Sequence, residues 1–131
     1  MYTNSAPTEV RRTAPRIDVE AFCSEILDGR ERHAVVLDLS STGLRVARPF
    51  TGGRSPREVQ LELELPGVDE IIWAKGQICY DRIRPAAPGS SAMSLGRIVR
   101  TSGIRLVAAA ARDMRLLREY VMTYRLAQLG F

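Results

Sequence analysis

Histidine and cysteine are scarce in this sequence: among 131 residues there are one histidine, His33, and two cysteines, Cys23 and Cys79. The cysteines lie far apart without a Cys-x-x-Cys pair, which excludes the usual zinc-ligand spacings. No base, nucleophile and orienting group cluster around His33 as catalysis would need. We therefore expect reduced, buried thiols, a structural histidine, no metal, no cofactor and no enzymatic activity.

Long hydrophobic stretches are also missing. The N-terminus lacks the apolar run of a secretory signal peptide, and no segment approaches the roughly 20 apolar residues of a membrane helix. The length of 131 residues is typical of one domain. These features predict a soluble, cytoplasmic, single-domain protein without a membrane span.

Lysine is the third scarce residue, since only Lys75 among the 19 basic residues is a lysine. Arginine suits the planar, bidentate recognition of phosphates and guanine edges better than lysine does. Genome composition explains most of this bias, and specific clusters are the exception. The net charge of +4 favours anionic partners but is low for an architectural DNA-binding protein.

Alternating apolar residues characterise the first half of the chain. Residues 16–26 place Ile17, Val19, Ala21 and Cys23 on one face, which predicts a half-buried strand. Further short strands are predicted in the segments "HAVVLDLS" and "GLRVA".

A β-hairpin is predicted over residues 58–82, where "VQLELEL" alternates strictly and Pro66-Gly67 turns the chain. Gly76 in its second strand permits either a bulge or a close backbone approach. The segment "IRLVA" after Gly103 predicts a last strand.

From about Ala110 the hydrophobic period changes to that of an amphipathic helix, with Met114, Leu117, Val121 and Tyr124 on one face. Arginines occupy the other face, which favours a solvated surface over a partner-binding stripe. The pattern predicts an all-β fold with a C-terminal helix: a six-stranded antiparallel barrel over residues 11–131, preceded by a flexible tail over residues 1–10.

One motif stands out at the junction of two predicted strands: "DLSSTG" contains Asp38, Ser40 and Gly43 in the pattern Asp-x-Ser-x-x-Gly. Asp38 and Ser40 share a strand face and offer an acceptor and a hydroxyl, while Gly43 permits a positive φ. The alternative interpretation is that these side chains cap local backbone groups. By chance this pattern would occur only about 0.03 times in such a composition.

A cluster of arginines, Arg11, Arg12 and Arg16, precedes the first strand. The spacing Arg-x-x-x-Arg between Arg12 and Arg16 is weak evidence alone because arginine is common in this chain. Together with the Asp-x-Ser-x-x-Gly turn, however, it resembles the two-part signature of the PilZ domain family. Members of that family are bacterial receptors for the second messenger cyclic di-GMP.

The resemblance covers roughly residues 11–125 and implies a six-stranded antiparallel barrel of PilZ type with a C-terminal helix. It also implies a ligand-binding site on the outer barrel face, formed by Arg11, Arg12, Arg16, Asp38, Ser40 and Gly43, with the arginine segment closing over cyclic di-GMP. Tyr80 departs from the pattern, because many relatives carry Trp there. In the family the residue at Arg11 is associated with ligand stoichiometry, and an arginine there resembles the kind that binds two molecules per chain.

The sequence therefore predicts a cytoplasmic cyclic di-GMP receptor that signals through conformational change to an unidentified protein partner. One alternative is a ligand-independent adaptor of the same fold. Another is a small nucleic-acid-binding barrel, although no aromatic residue lies inside either motif, as base stacking would need, so no specific nucleic acid is expected.

Overall fold

The computed structural model of the protein describes residues 16–53, 56–86, 88 and 96–130. Seven strands and one helix follow one another along this part of the chain. They are β1 (Arg16–Ile17), β2 (Ala21–Leu27), β3 (Arg30–Ser40), β4 (Gly43–Pro49), β5 (Glu58–Glu64), β6 (Ile72–Pro85), β7 (Ile98–Ala109) and α1 (Ala111–Gln128).

Six of the strands close into an antiparallel barrel. The order is β3, β2, β5, β6, β7, β4, and the additional pairing of β4 with β3 completes the ring. The short strand β1 pairs with β3 alone and lies outside that ring. The six-stranded barrel with a C-terminal helix that the sequence predicted is therefore confirmed.

The predicted strand over residues 16–26 is interrupted. Ile17 pairs with Leu39 and Ala21 pairs with Val36, so β1 and β2 follow one edge of β3 with a one-residue change of register. Ile17, Ala21 and the intervening Val19 are all buried. The alternation was thus read correctly, while the break at residues 18–20 was not predicted.

The barrel interior is filled by aliphatic side chains at alternate strand positions, including Leu39, Val46, Leu61 and Leu63, which are fully buried. Burying each such side chain contributes about 1.5–3 kcal/mol. The predicted hairpin forms from β5 and β6, which are joined in register from Glu58–Gln77 to Leu63–Ile72. The strict alternation in β5 therefore reflects the burial of one strand face against the core and the exposure of the other.

Gly76 takes the first of the two roles that the sequence allowed, a bulge. The register between β6 and β7 shifts at Lys75/Gly76, and a Cβ atom at Gly76 would lie 2.5 Å from Cγ2 of Ile104. The glycine thus marks a bulge and leaves space inside the barrel for the Ile104 side chain.

Helix α1 packs through Leu117 and Val121, which join the barrel core. Arg112, Arg115 and Arg118 on its other side are exposed. This arrangement agrees with the solvated-face interpretation of the arginines. None of the helices in the described residues is long and apolar enough to cross a membrane.

The two cysteines have different environments. Cys23 is buried in the core as predicted, but Cys79 is exposed, so the prediction of a buried second thiol was wrong. Cys79 directly follows Ile78 and so occupies an outward-facing position in the alternation of β6, like the exposed Trp73 and Lys75 before it. His33 is exposed on β3 and lies near Ser24, with 3.3 Å between Nδ1 and Oγ.

Candidate ligand-binding site

The turn between β3 and β4 is shaped by Ser40. Its buried Oγ accepts hydrogen bonds from the backbone N–H groups of Thr42 (3.2 Å) and Gly43 (3.1 Å), and it donates to the carbonyl oxygen of Gly43 at 3.2 Å. These contacts are the local capping that the sequence offered as the alternative role of this serine. The hydroxyl therefore holds the turn in one shape beside the outer face of the barrel.

Gly43 is a glycine for a different reason than the sequence suggested. Its φ is not positive. A Cβ atom at this position would lie 2.5 Å from the carbonyl oxygen of Ile104 on the neighbouring strand. The close approach of β7, and not a left-handed backbone, therefore requires the missing side chain.

Asp38 lies on β3 two residues before Ser40, directly after a register shift between Val36 and Asp38. Its Oδ1 accepts a hydrogen bond from Nη1 of Arg16 at 2.9 Å, and its Oδ2 accepts one from Nε of Arg45 at 2.5 Å. The carboxylate side chain is 9% exposed, whereas those of Arg16 and Arg45 are 49% and 41% exposed. Two half-exposed guanidinium groups thus flank one nearly buried carboxylate.

The charge of Arg45 is reinforced by this arrangement. Burial lowers the pKa of Arg45, but the hydrogen bond and the negative charge of Asp38 raise it more, and the pKa ends above its ordinary value. The site therefore keeps a permanent cation beside the turn.

Strand register extends the site across the barrel surface. Asp38 pairs with Arg45, Arg45 pairs with Gly103, and Gly103 pairs with Tyr80. The Tyr80 ring lies directly over Gly103, where no side chain intervenes, and the guanidinium of Arg82 lies 5.3 Å from the ring centroid. A carboxylate, guanidinium groups and an aromatic ring therefore share one outer face.

Another guanidinium, that of Arg105, borders the turn from the neighbouring strand. Arg105 on β7 pairs with Gly43 and donates a hydrogen bond to the side chain of Gln77. Like Arg45, it was missed as a site residue in the sequence, where both were assigned only to strands. Arg45 lies two residues after Gly43 and so shares its face, a signal that could have been used; the position of Arg105 depends on strand register.

The structure brings some predicted site residues together. Arg16 contacts Asp38, and Ser40 and Gly43 form the adjacent turn. Arg11 and Arg12 lie outside the described residues. Within the part of the chain that the structure describes, no cluster of His, Cys, Asp and Glu could hold a metal ion.

Such a surface is suited to nucleotide recognition. Guanidinium groups bind phosphate oxygens with two parallel hydrogen bonds and stack on planar bases. A carboxylate accepts hydrogen bonds from the N–H groups of guanine, and an aromatic ring offers a stacking face. The arrangement has acceptors, cations and a ring within one short patch.

Comparison with known proteins agrees with the barrel fold described above. A family model for the PilZ domain matches residues 10–123. No curated protein matches the chain. Among solved structures, the PilZ domain of YcgR from Escherichia coli with c-di-GMP is similar at a TM-score of 0.64 and 16% identity, covering 92% of this chain and 96% of that one.

Two longer proteins are similar over part of their length. The Klebsiella pneumoniae MrkH–c-di-GMP complex matches at a TM-score of 0.72 and 13% identity, covering 92% of this chain and 55% of that one. The Bacillus subtilis inhibitor of motility MotI/DgrA matches at 0.67 and 20% identity, covering 89% of this chain and 52% of that one. The chain thus spans about half the length of these two relatives, and identities this low establish a shared fold.

Proposed function

The chain belongs to the PilZ domain family, and from this premise we propose that it is a cytoplasmic bacterial receptor for cyclic di-GMP. In this proposal Arg11, Arg12 and Arg16 form an arginine clasp that closes over the ligand. Asp38, Ser40 and Gly43 form the turn against which the ligand rests. The observation that carries the proposal is the contact of Arg16 with Asp38 on the outer face, which joins the two halves of the motif.

The chemistry of the ligand matches these groups. Cyclic di-GMP has two phosphodiester charges and two guanine bases, so it needs cations, acceptors for guanine N–H groups and stacking surfaces. Arg16 and Arg45 supply guanidinium groups, and Asp38 supplies the acceptor. The Tyr80 ring lies along the same register row and is available for stacking. Binding would then use side chains from four strands.

Asp38 holds the guanidinium groups in place before the ligand arrives. The Arg16 guanidinium is half exposed, where ion pairs contribute only about 0–1 kcal/mol, and the nearly buried Asp38 keeps its pair with Arg45, so a ligand phosphate can compete for Arg16 at little cost. In exchange, the Asp38 carboxylate becomes available to guanine. The ion pair of Arg16 with Asp38 thus acts as the open state of the clasp, and ligand binding changes the surface presented to a protein partner.

Receptor function is favoured over catalysis by the composition of the site. Among the described residues, the single histidine His33 contacts Ser24 near the opposite end of β3 from the Ser40 turn. The Arg16–Asp38–Arg45 cluster contains cations and an acceptor but no nucleophile with an adjacent base. The proposed output is therefore a ligand-dependent contact with another protein.

Isothermal titration calorimetry with cyclic di-GMP tests this function. We expect saturable binding by the wild type, and at least about tenfold weaker binding by Arg16→Gln, because a charge-assisted hydrogen bond is worth about 1.5–3 kcal/mol. Arg30→Gln is the matched control, since Arg30 is an exposed arginine at the other end of β3.

Three outcomes would contradict the proposal. Absence of binding by the folded wild type would favour the ligand-independent adaptor. Equal affinities of Arg16→Gln, Arg30→Gln and wild type would remove the clasp from the mechanism. Competition by single-stranded RNA at similar affinity would favour the nucleic-acid-binding barrel instead.

A further inference from the structure

A second group of arginines lies at the other end of the barrel. Arg48 on β4 points into the barrel, where its Nε and Nη2 each donate to the Glu25 carboxylate at 2.6 Å and its Nη1 donates to Ser102 Oγ at 2.9 Å. Arg48 and Glu25 are almost fully buried. All three donor nitrogens of Arg48 thus have partners, and Glu25 has both oxygens engaged.

Arg32 on β3 is bound to the same carboxylate less completely. Its Nε donates to Glu25 Oε1 at 3.1 Å. Its Nη2 is buried and has no hydrogen-bond partner among the described residues. A buried guanidinium N–H without an acceptor is costly, and the Glu25 oxygens are already shared between Arg48 and the Nε of Arg32. A ligand oxygen that reached this nitrogen would therefore offset that cost.

A cavity of about 340 Å³ lies beside this nitrogen-rich cluster. We call it the distal arginine cleft, and define it by its lining residues: Arg32, His33, Arg48, Pro49, Thr51 and Arg100. The volume is near the lower end of the range for small-molecule sites, about 300–1,000 Å³. Three of its six lining residues carry guanidinium groups.

The charge balance of the cleft is positive. The described carboxylates in contact with its arginines are Glu25, bound by Arg32 and Arg48, and Asp81, which lies 3.4 Å from Nε of Arg100 and 3.9 Å from Nη1 of Arg48. Two carboxylates thus face three guanidinium groups. In a partly buried setting the excess positive charge is weakly screened and attracts an anion.

The cleft is separate from the proposed dinucleotide site. Arg32 precedes Ser40 by eight residues on the same strand, which corresponds to roughly 26 Å at 3.3 Å per residue. We infer that the distal arginine cleft is a second anion-binding site, which takes a small molecule bearing a phosphate group. The Arg32 guanidinium and the Thr51 hydroxyl would bind the phosphate oxygens, the paired Arg48 and Arg100 would add positive charge to the cleft, and the rest of the cavity would hold a small organic group.

Calorimetric titrations with inorganic phosphate and with glycerol 3-phosphate, at constant ionic strength set with chloride, test the site. We expect one saturable site per chain. Arg32→Gln should weaken it about tenfold by removing a charge-assisted donor. Thr51→Val should weaken it more modestly; Thr51 is exposed in a loop, so this variant also serves if Arg32→Gln does not fold.

Arg118→Gln, an exposed arginine on the solvated face of α1, is the control for the loss of one positive charge, and Arg16→Gln distinguishes the cleft from the dinucleotide site whether or not the protein binds cyclic di-GMP. Tighter binding of glycerol 3-phosphate than of inorganic phosphate would show that the cavity holds an organic group as well. Equal binding of the two would show recognition of the free oxyanion alone and would remove the organic group from the assignment.

The inference is overturned if neither probe saturates. It is also overturned if binding is the same in wild type, Arg32→Gln and Thr51→Val, or if Arg16→Gln weakens it, since phosphate would then occupy the dinucleotide site. Failure of cyclic di-GMP to bind would leave these comparisons intact, so the two sites are tested independently.

Discussion

Neither Gly43 on β4 nor Gly103 on β7 has space for a Cβ atom, but the neighbouring atoms differ. A Cβ atom at Gly43 would meet the backbone carbonyl of Ile104 at 2.5 Å, whereas one at Gly103 would meet only the ring of Tyr80. A side chain can rotate away, but a paired backbone cannot move without disturbing β7. The two positions therefore differ in what a single methyl group would displace.

We predict that Gly43→Ala costs about 1–3 kcal/mol of unfolding free energy, the usual range for overpacking, and that Gly103→Ala costs less. Gly103→Ala should instead move the Tyr80 ring. Urea denaturation measures the first effect, and tyrosine ring resonances in NMR spectra report the second. A larger loss of stability in Gly103→Ala than in Gly43→Ala would show that the Tyr80 ring is the more rigid neighbour.

The two thiols should react at very different rates. Burial, and secondarily the charge of Glu25, raises the pKa of Cys23 far above its ordinary value, so almost no thiolate forms. Cys79 is exposed. We predict that iodoacetamide alkylates Cys79 alone in the native protein and both cysteines in urea, as mass spectrometry of the labelled chain would show. Native labelling of Cys23 would mean that the barrel opens readily.

Some residues of the site can be identified from the sequence, and others only from the strand pairing. Asp38, Ser40 and Gly43 could be identified from the sequence because they belong to one short turn whose spacing is itself the signal. Arg45 and Tyr80 join that turn only through the pairing of β4, β7 and β6. A one-residue slip would point either side chain into the core, and the sequence alone does not specify the register.

The strands were largely predictable because the barrel buries one face of each. Alternation identified the β5–β6 hairpin, and the change of period identified α1. The break between β1 and β2 was missed because Ile17, Val19 and Ala21 continue the apolar alternation through it. Only the pairing with β3 reveals the one-residue change of register there, and pairing is a long-range property.

Helix α1 is tied to the segment that carries Arg16. The hydroxyl of Tyr124 donates a hydrogen bond to the backbone carbonyl of Asp18 at 3.0 Å, just beyond β1. Tyr120 lies one turn earlier, with 6.2 Å between the two ring centroids, and its hydroxyl has no hydrogen bond among the described residues. The helix end thus steadies the strand that presents Arg16 to Asp38.

We predict that Tyr124→Phe weakens cyclic di-GMP binding about two- to fivefold, because losing a hydrogen bond of about 0.5–1 kcal/mol loosens the placement of Arg16. Tyr120→Phe is the matched control and should bind as the wild type does. Calorimetry measures both affinities, and hydrogen exchange of the amides in residues 17–21 reports the loosening directly. Equal affinities in the two variants would show that the hydrogen bond from helix α1 does not affect ligand binding.

At the scale of the whole molecule, net charge bears on the proposed number of ligands. The chain has a net charge of +4, and each cyclic di-GMP molecule brings two negative charges. Two ligands would therefore neutralise the chain, whereas one would leave it positive. Two stacked ligands would also carry four phosphate charges, and Arg11, which directly precedes Arg12 in the sequence, would add a guanidinium to those of Arg12, Arg16 and Arg45.

We predict that the protein binds two cyclic di-GMP molecules per chain and that Arg11→Leu shifts the ratio toward one while binding through Arg12 and Arg16 persists. The reason is that a third guanidinium offsets repulsion between four phosphates and adds a stacking plane for four guanines. Native mass spectrometry counts the ligands directly, and calorimetry gives the stoichiometry in solution. Arg30→Leu controls for the loss of one positive charge at the far end of β3 and should keep the ratio at two. Saturation of the wild type at one ligand would contradict the role of Arg11, and a shift to one in Arg30→Leu as well would assign stoichiometry to net charge instead of to the clasp.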